Sequence, residues 1–382
     1  MSDPSPMPAP GRCIVYADKL FSPSESFIHR AYCAFDRLKP LYIGHELRGP
    51  APEGAEYLLL NDLHGWTGEW GFKQFGAVSK RLASALNAYD PQLIHAHFGK
   101  SGAYALPLAK ALDIPLAVTY HGGDATKHSN TKQSMIRVYN RRRDQLWREA
   151  ALLLPVSDFI RGELTAKGCP PEKLHVHRNA VAPEKFSPGD KEHIILFAGR
   201  WVEKKGIETL VRALARIPDQ LSSWRIQLLG DGPLKPELSK LLSNAGVQAE
   251  MPGWINSEDI PEYMARALIA CIPSQRARSG DAEGLPMVAI EAQLSGCAVI
   301  ATRHAGIPEA VIDGETGLLS EEKDDVALAA NLTALLQNPD KARSMGQKGR
   351  QHAEQNFNLD IQSKKLQDIL LSLTQIQTKL RS

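Results

Sequence analysis

Short apolar runs alternate with amphipathic stretches along the chain. Residues 13–18 (CIVYAD), 56–61 (EYLLLN), 91–96 (PQLIHA), 115–121 (PLAVTYH) and 151–157 (ALLLPVS) are brief, apolar and bounded by polar or turn residues. Runs of that length predict buried strands. Stretches with apolar residues three and four apart lie between them, as at 78–89 and 103–112, and predict helices. Strand then helix, repeated, is the pattern of a parallel sheet covered on both faces.

The alternation pauses at 175–190 (HVHRNAVAPEKFSPGD), which holds two prolines and little periodicity. It then restarts. Strands are expected at 193–200, 224–232, 267–274, 297–302 and 317–320, and helices at 207–216, 234–245, 286–295, 327–336 and 360–380. The expected organisation is a Rossmann-like domain over 1–180, a linker at 181–190 and a second Rossmann-like domain over 191–358, with 359–382 a terminal helix. Two such halves facing each other place a ligand in the cleft between them, outside the carboxyl ends of the strands.

Length agrees, since 382 residues exceed one ordinary domain. Composition, with 43% hydrophobic and 23% charged residues, excludes disorder or coiled coil as the main architecture. The net charge of +2 does not advertise nucleic acid. It is uneven, however: residues 1–180 carry 22 Lys and Arg against 17 Asp and Glu, and the rest carry 23 against 26. The first half therefore suits an anionic partner. Five scattered cysteines without a CxxC pair fit a reducing compartment better than a disulfide framework or structural zinc. No stretch is apolar enough to span a membrane, and the polar N-terminus lacks a signal-peptide core, so the expected location is cytoplasmic.

Candidate chemistry lies just after the expected strands. In Glu283-Gly-Leu-Pro-Met-Val-Ala-Ile-Glu291, Pro286 suits the first helical position, and the amides near Gly284, Leu285 and Met287 would form an anion site at a helix N-terminus. Glu291, further along that helix, could accept two vicinal hydroxyls; a capped surface helix with a solvated glutamate is the alternative. Gly199-Arg200-Trp-Val-Glu-Lys-Lys205-Gly206 offers a guanidinium fork and a point charge to one polyanion, or is an ordinary basic loop. Gly230, in Leu-Gly-Asp-Gly-Pro, permits a tight turn and close backbone approach. His121, in Tyr-His-Gly-Gly-Asp124, follows another strand. His95 and His97 alternate on one strand but lack a suitably spaced third ligand, so no metal is expected.

The order and spacing of FAGRWVEKKG, LLGDGPL, MPGWI and EGLPMVAIEAQLSGCAVIATRHAGIPEAVIDGETGLL resemble the retaining glycosyltransferases of family 4, which have two Rossmann-like domains (GT-B architecture). That resemblance covers nearly the whole chain. It implies that Arg200 and Lys205 bind the donor's pyrophosphate, that Glu283 sits near the donor sugar and that Glu291 holds the ribose hydroxyls. It places Trp254 and Ile255 in the base pocket and His121 against the donor sugar, with Asp124 close enough to orient substrate hydroxyls. The terminal helix is then expected to return to the first domain. No cofactor is implied beyond the nucleotide diphosphate sugar, with UDP or GDP as its nucleotide.

One departure is visible. Where many family members carry a Gly-Gly loop after the first strand, this chain has Ser22-Pro-Ser24-Glu25-Ser-Phe-Ile, resembling transferases that assemble bacterial exopolysaccharides such as colanic acid. Ser24 and Glu25 could meet the acceptor or the phosphate, or Ser24 is a helix N-cap. The implied acceptor is a glycan or lipid-linked glycan. Arg137, Arg141, Arg142, Arg143 and Arg148, with Tyr139 and Trp147, form a basic stripe that suits either an anionic membrane surface at the inner face or plain solvation. The same architecture also serves nucleotide-sugar epimerases and non-catalytic nucleotide-sugar binders. The GRxxxxKG and EGLP pair argues against an epimerase, and the joint retention of His121, Arg200, Lys205, Glu283 and Glu291 argues against a degenerate binder.

Overall fold

The computed structural model describes residues 10–127 and 134–381, side chains excepted at 64–67, 134–137 and 376–381. The first sheet consists of β1 (Gly11–Tyr16), β2 (Leu38–Gly44), β3 (Glu56–Leu59), β4 (Leu93–His97), β5 (Leu116–Tyr120) and β6 (Leu152–Pro155). The second consists of β7 (Glu192–Ala198), β8 (Arg225–Leu229), β9 (Glu250–Gly253), β10 (Ala267–Ile272), β11 (Ala298–Thr302) and β12 (Gly317–Ser320). Both sheets are parallel and share one order, β3-β2-β1-β4-β5-β6 and β9-β8-β7-β10-β11-β12. Each is a doubly wound Rossmann sheet whose order reverses beside its first strand, where such folds bind ligands.

The central strands β4, β5, β10 and β11 are buried at every residue, which is why they read as apolar runs rather than alternations. Two strands escape that reading. β2 (LKPLYIG) carries Lys39 and Pro40 inside its span, yet it pairs with both β1 and β3. β9 (EMPG) is an edge strand, where a proline costs little ladder bonding.

The helices used below are α1 (Gly99–Leu112), α2 (Ser134–Glu149), α3 (Asp158–Ala166), α4 (Met287–Leu294), α5 (Pro339–Asn356) and α6 (Leu359–Arg381). The chain crosses between domains twice at one point: Val181 N–H donates to the Phe357 carbonyl and Leu359 N–H to the Val181 carbonyl. Helix α6 then lies on the first sheet. Its Leu366 and Leu370 are buried with Cys13, Val15 and Leu38. Gln367 Oε1 accepts the amides of Asp36, Arg37 and Leu38, closing what is otherwise an open strand entry.

The carboxyl ends of the two sheets meet. Glu309 of the second domain accepts the first amides of α3, from Asp158 (3.0 Å) and Phe159 (3.1 Å), and so caps a helix of the first domain. Arg178 bridges Glu309 and Asp158, and Ser157 Oγ donates to the Gly284 carbonyl.

Candidate active site

The second domain contributes a carboxylate held between cations. β7 ends in the loop that carries Lys204 and Lys205, and β10 in the loop that carries Asp281 and Glu283. Lys205 Nζ lies 3.0 Å from Glu283 Oε1, and Lys204 Nζ lies 3.7 Å from the same oxygen. Glu283 is nearly buried, which alone would raise its pKa; the two lysines outweigh burial and hold it down at about 2. His304 Nε2 accepts the Glu283 amide (3.2 Å), so its proton sits on Nδ1, which faces Glu322 at 2.6 Å. His304 thereby orients the Glu283 backbone without itself being charged, since burial lowers its pKa despite Glu322.

Glycines let these loops close up. A Cβ on Gly230 (φ 120°) would stand 1.9 Å from the Gly199 carbonyl oxygen, so the β8 end can lie against the β7 loop only without a side chain.

The first domain contributes a chain of hydrogen-bonded rings. His121 Nε2 meets His97 Nδ1 at 3.0 Å, His97 Nε2 meets the Tyr32 hydroxyl at 2.7 Å, that hydroxyl meets His95 Nδ1 at 2.7 Å, and His95 Nε2 meets Thr119 Oγ1 at 2.8 Å. Phe27 and Phe98 flank the His121 ring at 4.9 and 4.7 Å. Phe98 adopts φ 70°, a conformation costing about 1–3 kcal/mol for a bulky residue, and so stores strain beside this ring. Burial lowers the His121 pKa to about 3 and holds those of His95 and His97 well below the ordinary value, so all three rings are neutral. His121 Nδ1 is buried and has no hydrogen-bond partner among the described residues.

The two halves touch at Gly284. A Cβ there would lie 2.0 Å from the His121 carbonyl oxygen. Gly284→Ala should therefore separate the His121 and Glu283 loops. We expect it to lower activity at least as much as loss of either side chain, while each sheet stays folded; far-ultraviolet circular dichroism beside an activity assay would check this.

The expected site residues sort as follows. His121, Glu283, Gly284 and Lys205 are brought together, and Arg200 stands exposed on the same loop as Lys205. Pro286 is the N-cap rather than the first helical residue, and α4 begins at Met287; among the described residues no side chain caps it, and the Ala289 amide donates to the Pro286 carbonyl, which leaves the Met287 and Val288 amides for a ligand. Leu285 is buried in the core. Glu291 lies within α4; burial raises its pKa to about 7 against the pull of Arg30 and Lys205. Trp254, 63% exposed, and Ile255 follow β9, whose Gly253 carbonyl accepts the Gly230 amide.

Three expectations change. Asp124 does not present a free carboxylate: Oδ1 accepts the amides of His121 and Gly122, and Oδ2 that of Gly99. It shapes the His121 loop instead of orienting hydroxyls. Ser24 is exposed, its hydroxyl meets Ser22, and it caps no helix; neither it nor Glu25 has a hydrogen bond or ion pair to His121 or Glu283 among the described residues. From that segment it is Phe27 that reaches the site. The basic stripe is split: Tyr139 and Trp147 turn inward, Arg142 donates to the Gln74 and Ala103 carbonyls, and Arg141 and Arg148 alone stay fully outward, with the Arg137 side chain outside the described residues. Among the described residues it does not form one continuous outward face.

Sequence reasoning passed over Lys204, His304 and Tyr32. Lys204 and His304 lie inside the motif text, and Tyr32 carried no signal in sequence because its partners are brought to it by β4.

Among known proteins, the model of the group 1 glycosyl transferases matches residues 180–352 and that of glycosyltransferase family 4 matches residues 44–185. The chain is 30% identical over 317 residues to the WcaL protein of Escherichia coli (strain K12), a glycosyltransferase assigned to colanic acid biosynthesis; the match spans 79% of this chain and 77% of that protein. It is 29% identical to the amylovoran biosynthesis glycosyltransferase AmsK of Erwinia amylovora, over 78% and 75% of the two chains. Similar solved structures include a sucrose-phosphate synthase from Thermosynechococcus elongatus (20% identical, TM-score 0.74, 95% and 99% covered) and Anabaena HepE in complex with UDP (19% identical, TM-score 0.74, 95% and 100% covered). These structures share the GT-B fold, and with the family models and relatives above they show that the chain belongs to the family 4 glycosyltransferases.

Proposed function

We propose that the chain is a retaining hexosyltransferase, moving a hexosyl group from a UDP- or GDP-sugar to a hydroxyl of a glycan or lipid-linked glycan in exopolysaccharide synthesis. One observation carries this: a carboxylate held between two lysines and a histidine nitrogen without a partner among the described residues stand on loops in direct contact across the cleft. WcaL and AmsK belong by name to exopolysaccharide pathways, which supports the acceptor class.

In the proposed reaction, Arg200, Lys205 and the uncapped amides of α4 bind the diphosphate. As the anomeric carbon–oxygen bond breaks, its electron pair leaves on the phosphate, and these groups stabilise that growing charge more than the ground state. The acceptor oxygen bonds to the anomeric carbon from the same face, and its proton passes to the departing phosphate oxygen, so configuration is kept. Glu283, engaged by both lysines, is better suited to holding a sugar hydroxyl and orienting Lys205 than to forming a covalent intermediate. Glu291 takes the ribose hydroxyls in its ionised form.

A thermal-shift screen against UDP, GDP, ADP, CMP and their sugar conjugates tests this. Saturation a hundredfold above Kd adds about 2.7 kcal/mol to stability. One diphosphate should raise the melting point, and the anomeric configuration of the product, read by NMR, should match that of the donor. Because the Glu291 carboxyl is raised towards 7 and the ribose hydroxyls need its ionised form, nucleotide affinity should rise with pH up to about 7 and then level off. No shift with any nucleotide, or an inverted product, would overturn the reading.

A further inference from the structure

A cavity of about 890 Å³ opens between the domains beside the reacting centre. Its second-domain wall includes Arg200, Lys204 and Asp281. Its first-domain wall carries four cations, Lys100, Lys127, Arg143 and Lys167. The acids of the lining do not match them. Asp124 is the one first-domain carboxylate in the described lining, and both its oxygens are taken by backbone amides. Asp281 already serves Lys127 (3.4 Å) and Lys204 (3.6 Å), and Glu203 lies near Arg278 (3.7 Å).

The cations themselves are only partly satisfied. Lys167 donates to the Ala125 carbonyl and forms no ion pair among the described residues; burial lowers its pKa, as do Arg276 and Arg143, against the opposite pull of Glu163 and Asp124. Arg143 stacks over Trp147 (4.7 Å), and its one carboxylate, Asp144, is 63% exposed. Lys100 pairs with Asp18 at 3.1 Å. Partly desolvated cations facing one cavity repel each other unless an anion enters. The half-buried rings of Phe98 and Tyr139 add apolar faces of the kind sugar rings lie on.

Of the residues expected to hold the donor, Arg200 lines the cavity at its second-domain edge, whereas Lys205, Glu291, Gly230 and Trp254 do not. The cavity reaches the centre from the side of Gly123 and Asp124, next to His121. We propose that it is the acceptor site, and that the acceptor it takes carries negative charge, as a phosphate or a carboxylate on or beside the sugar that receives the hexosyl group. This rests on the transferase reading above. It also gives a place in the fold to the positive balance of residues 1–180.

The test is calorimetric binding to the full chain, with the donor nucleotide saturating so that its own diphosphate site is filled. Three probes are compared: geranyl diphosphate, a hyaluronan tetrasaccharide and neutral chitotetraose. One of the two anionic probes should bind, and more weakly at high salt. Which of them binds separates a lipid diphosphate from an acidic sugar. Arg143→Gln and Lys167→Gln should each weaken that binding about tenfold, and Arg143→Lys should retain most of it. Their melting points should match that of the parent, and their nucleotide affinity should be unchanged. Lys205→Ala should show the reverse, losing nucleotide and keeping the probe. Equal binding of chitotetraose, no binding of either anion, or loss of nucleotide in Arg143→Gln and Lys167→Gln in the same proportion would overturn the proposal. If the parent protein binds no nucleotide, the transferase reading fails, while the anion comparison can still be read without it.

Discussion

Lys205→Ala is expected to lower kcat/KM by about 10²–10³, the usual cost of removing one charge-stabilising donor from a reacting centre. Two effects combine. The donor phosphate loses a cation, and Glu283 loses its nearest partner, keeping only Lys204 at 3.7 Å. The Glu283 carboxyl, depressed to about 2, contributes stability that is fully present above the unfolded value near 4.5 and is lost as pH falls through about 2. That contribution is on the order of 3 kcal/mol at neutral pH, and most of it should disappear with the lysine. Lys205→Ala should therefore melt earlier at pH 7 than the parent and lose that deficit in acid. Adding Glu283→Gln removes the unpaired charge and should restore the melting point without restoring activity. If the double variant regained turnover, Lys205 would matter only as a partner for Glu283. Lys204→Ala, which removes the longer contact, should be clearly milder in both readouts.

The strands that were legible in sequence are those buried on both sides, because burial on two faces leaves a run of four or more mostly apolar residues. β2 was not, since Lys39 reaches out to Glu56 and Pro40 interrupts the run; only the pairing with β1 and β3 identifies it. Helices with long polar faces also went unread, such as α5, whose inner stripe is mostly small residues (Ala342, Gly346, Gly349 and Ala353), and residues 61–75, where Phe72 is the one buried residue among the described side chains. At the site, motif spacing located Lys205, Glu283 and His121 because each lies in a loop at the carboxyl end of a strand. It did not reveal what Asp124 does. A carboxylate four residues beyond a strand end can face a ligand or bond its own loop, and only the positions of the Gly99, His121 and Gly122 amides decide between these. Nor did it find Tyr32, which lies 63 residues from His95 and meets it only because β4 and the segment after β1 share one face.

His121→Ala should reduce turnover by about 10²–10³ with the donor nucleotide's affinity nearly unchanged, because the ring contacts no residue that the reading assigns to the nucleotide. Tyr32→Phe, two residues removed along the ring chain, should cost about tenfold in kcat with little change in KM, within the ordinary span of a proton-handling contribution. The reason lies in one hydrogen. The Tyr32 hydroxyl stands 2.7 Å from His95 Nδ1 and 2.7 Å from His97 Nε2, and it can donate to only one of them. If it donates to His97, that ring carries its proton on Nδ1 and donates to His121 Nε2, which leaves the His121 proton on Nδ1. If it donates to His95, every bond reverses, and His121 Nδ1 presents a lone pair. His121 Nε2 is occupied by His97 in both states, so a substrate hydroxyl can meet only Nδ1. Rotation of one buried hydroxyl therefore decides whether this nitrogen gives or accepts a hydrogen bond, with no ring becoming charged. In Tyr32→Phe the two directions are no longer coupled. Imidazole ¹⁵N chemical shifts separate protonated from bare nitrogens, so the His121 tautomer ratio should differ between Tyr32→Phe and the parent in the ligand-free protein. An unchanged ratio together with a tenfold loss of kcat would assign Tyr32 to packing alone. A changed ratio with full activity would show that the sugar hydroxyl does not depend on the state of Nδ1.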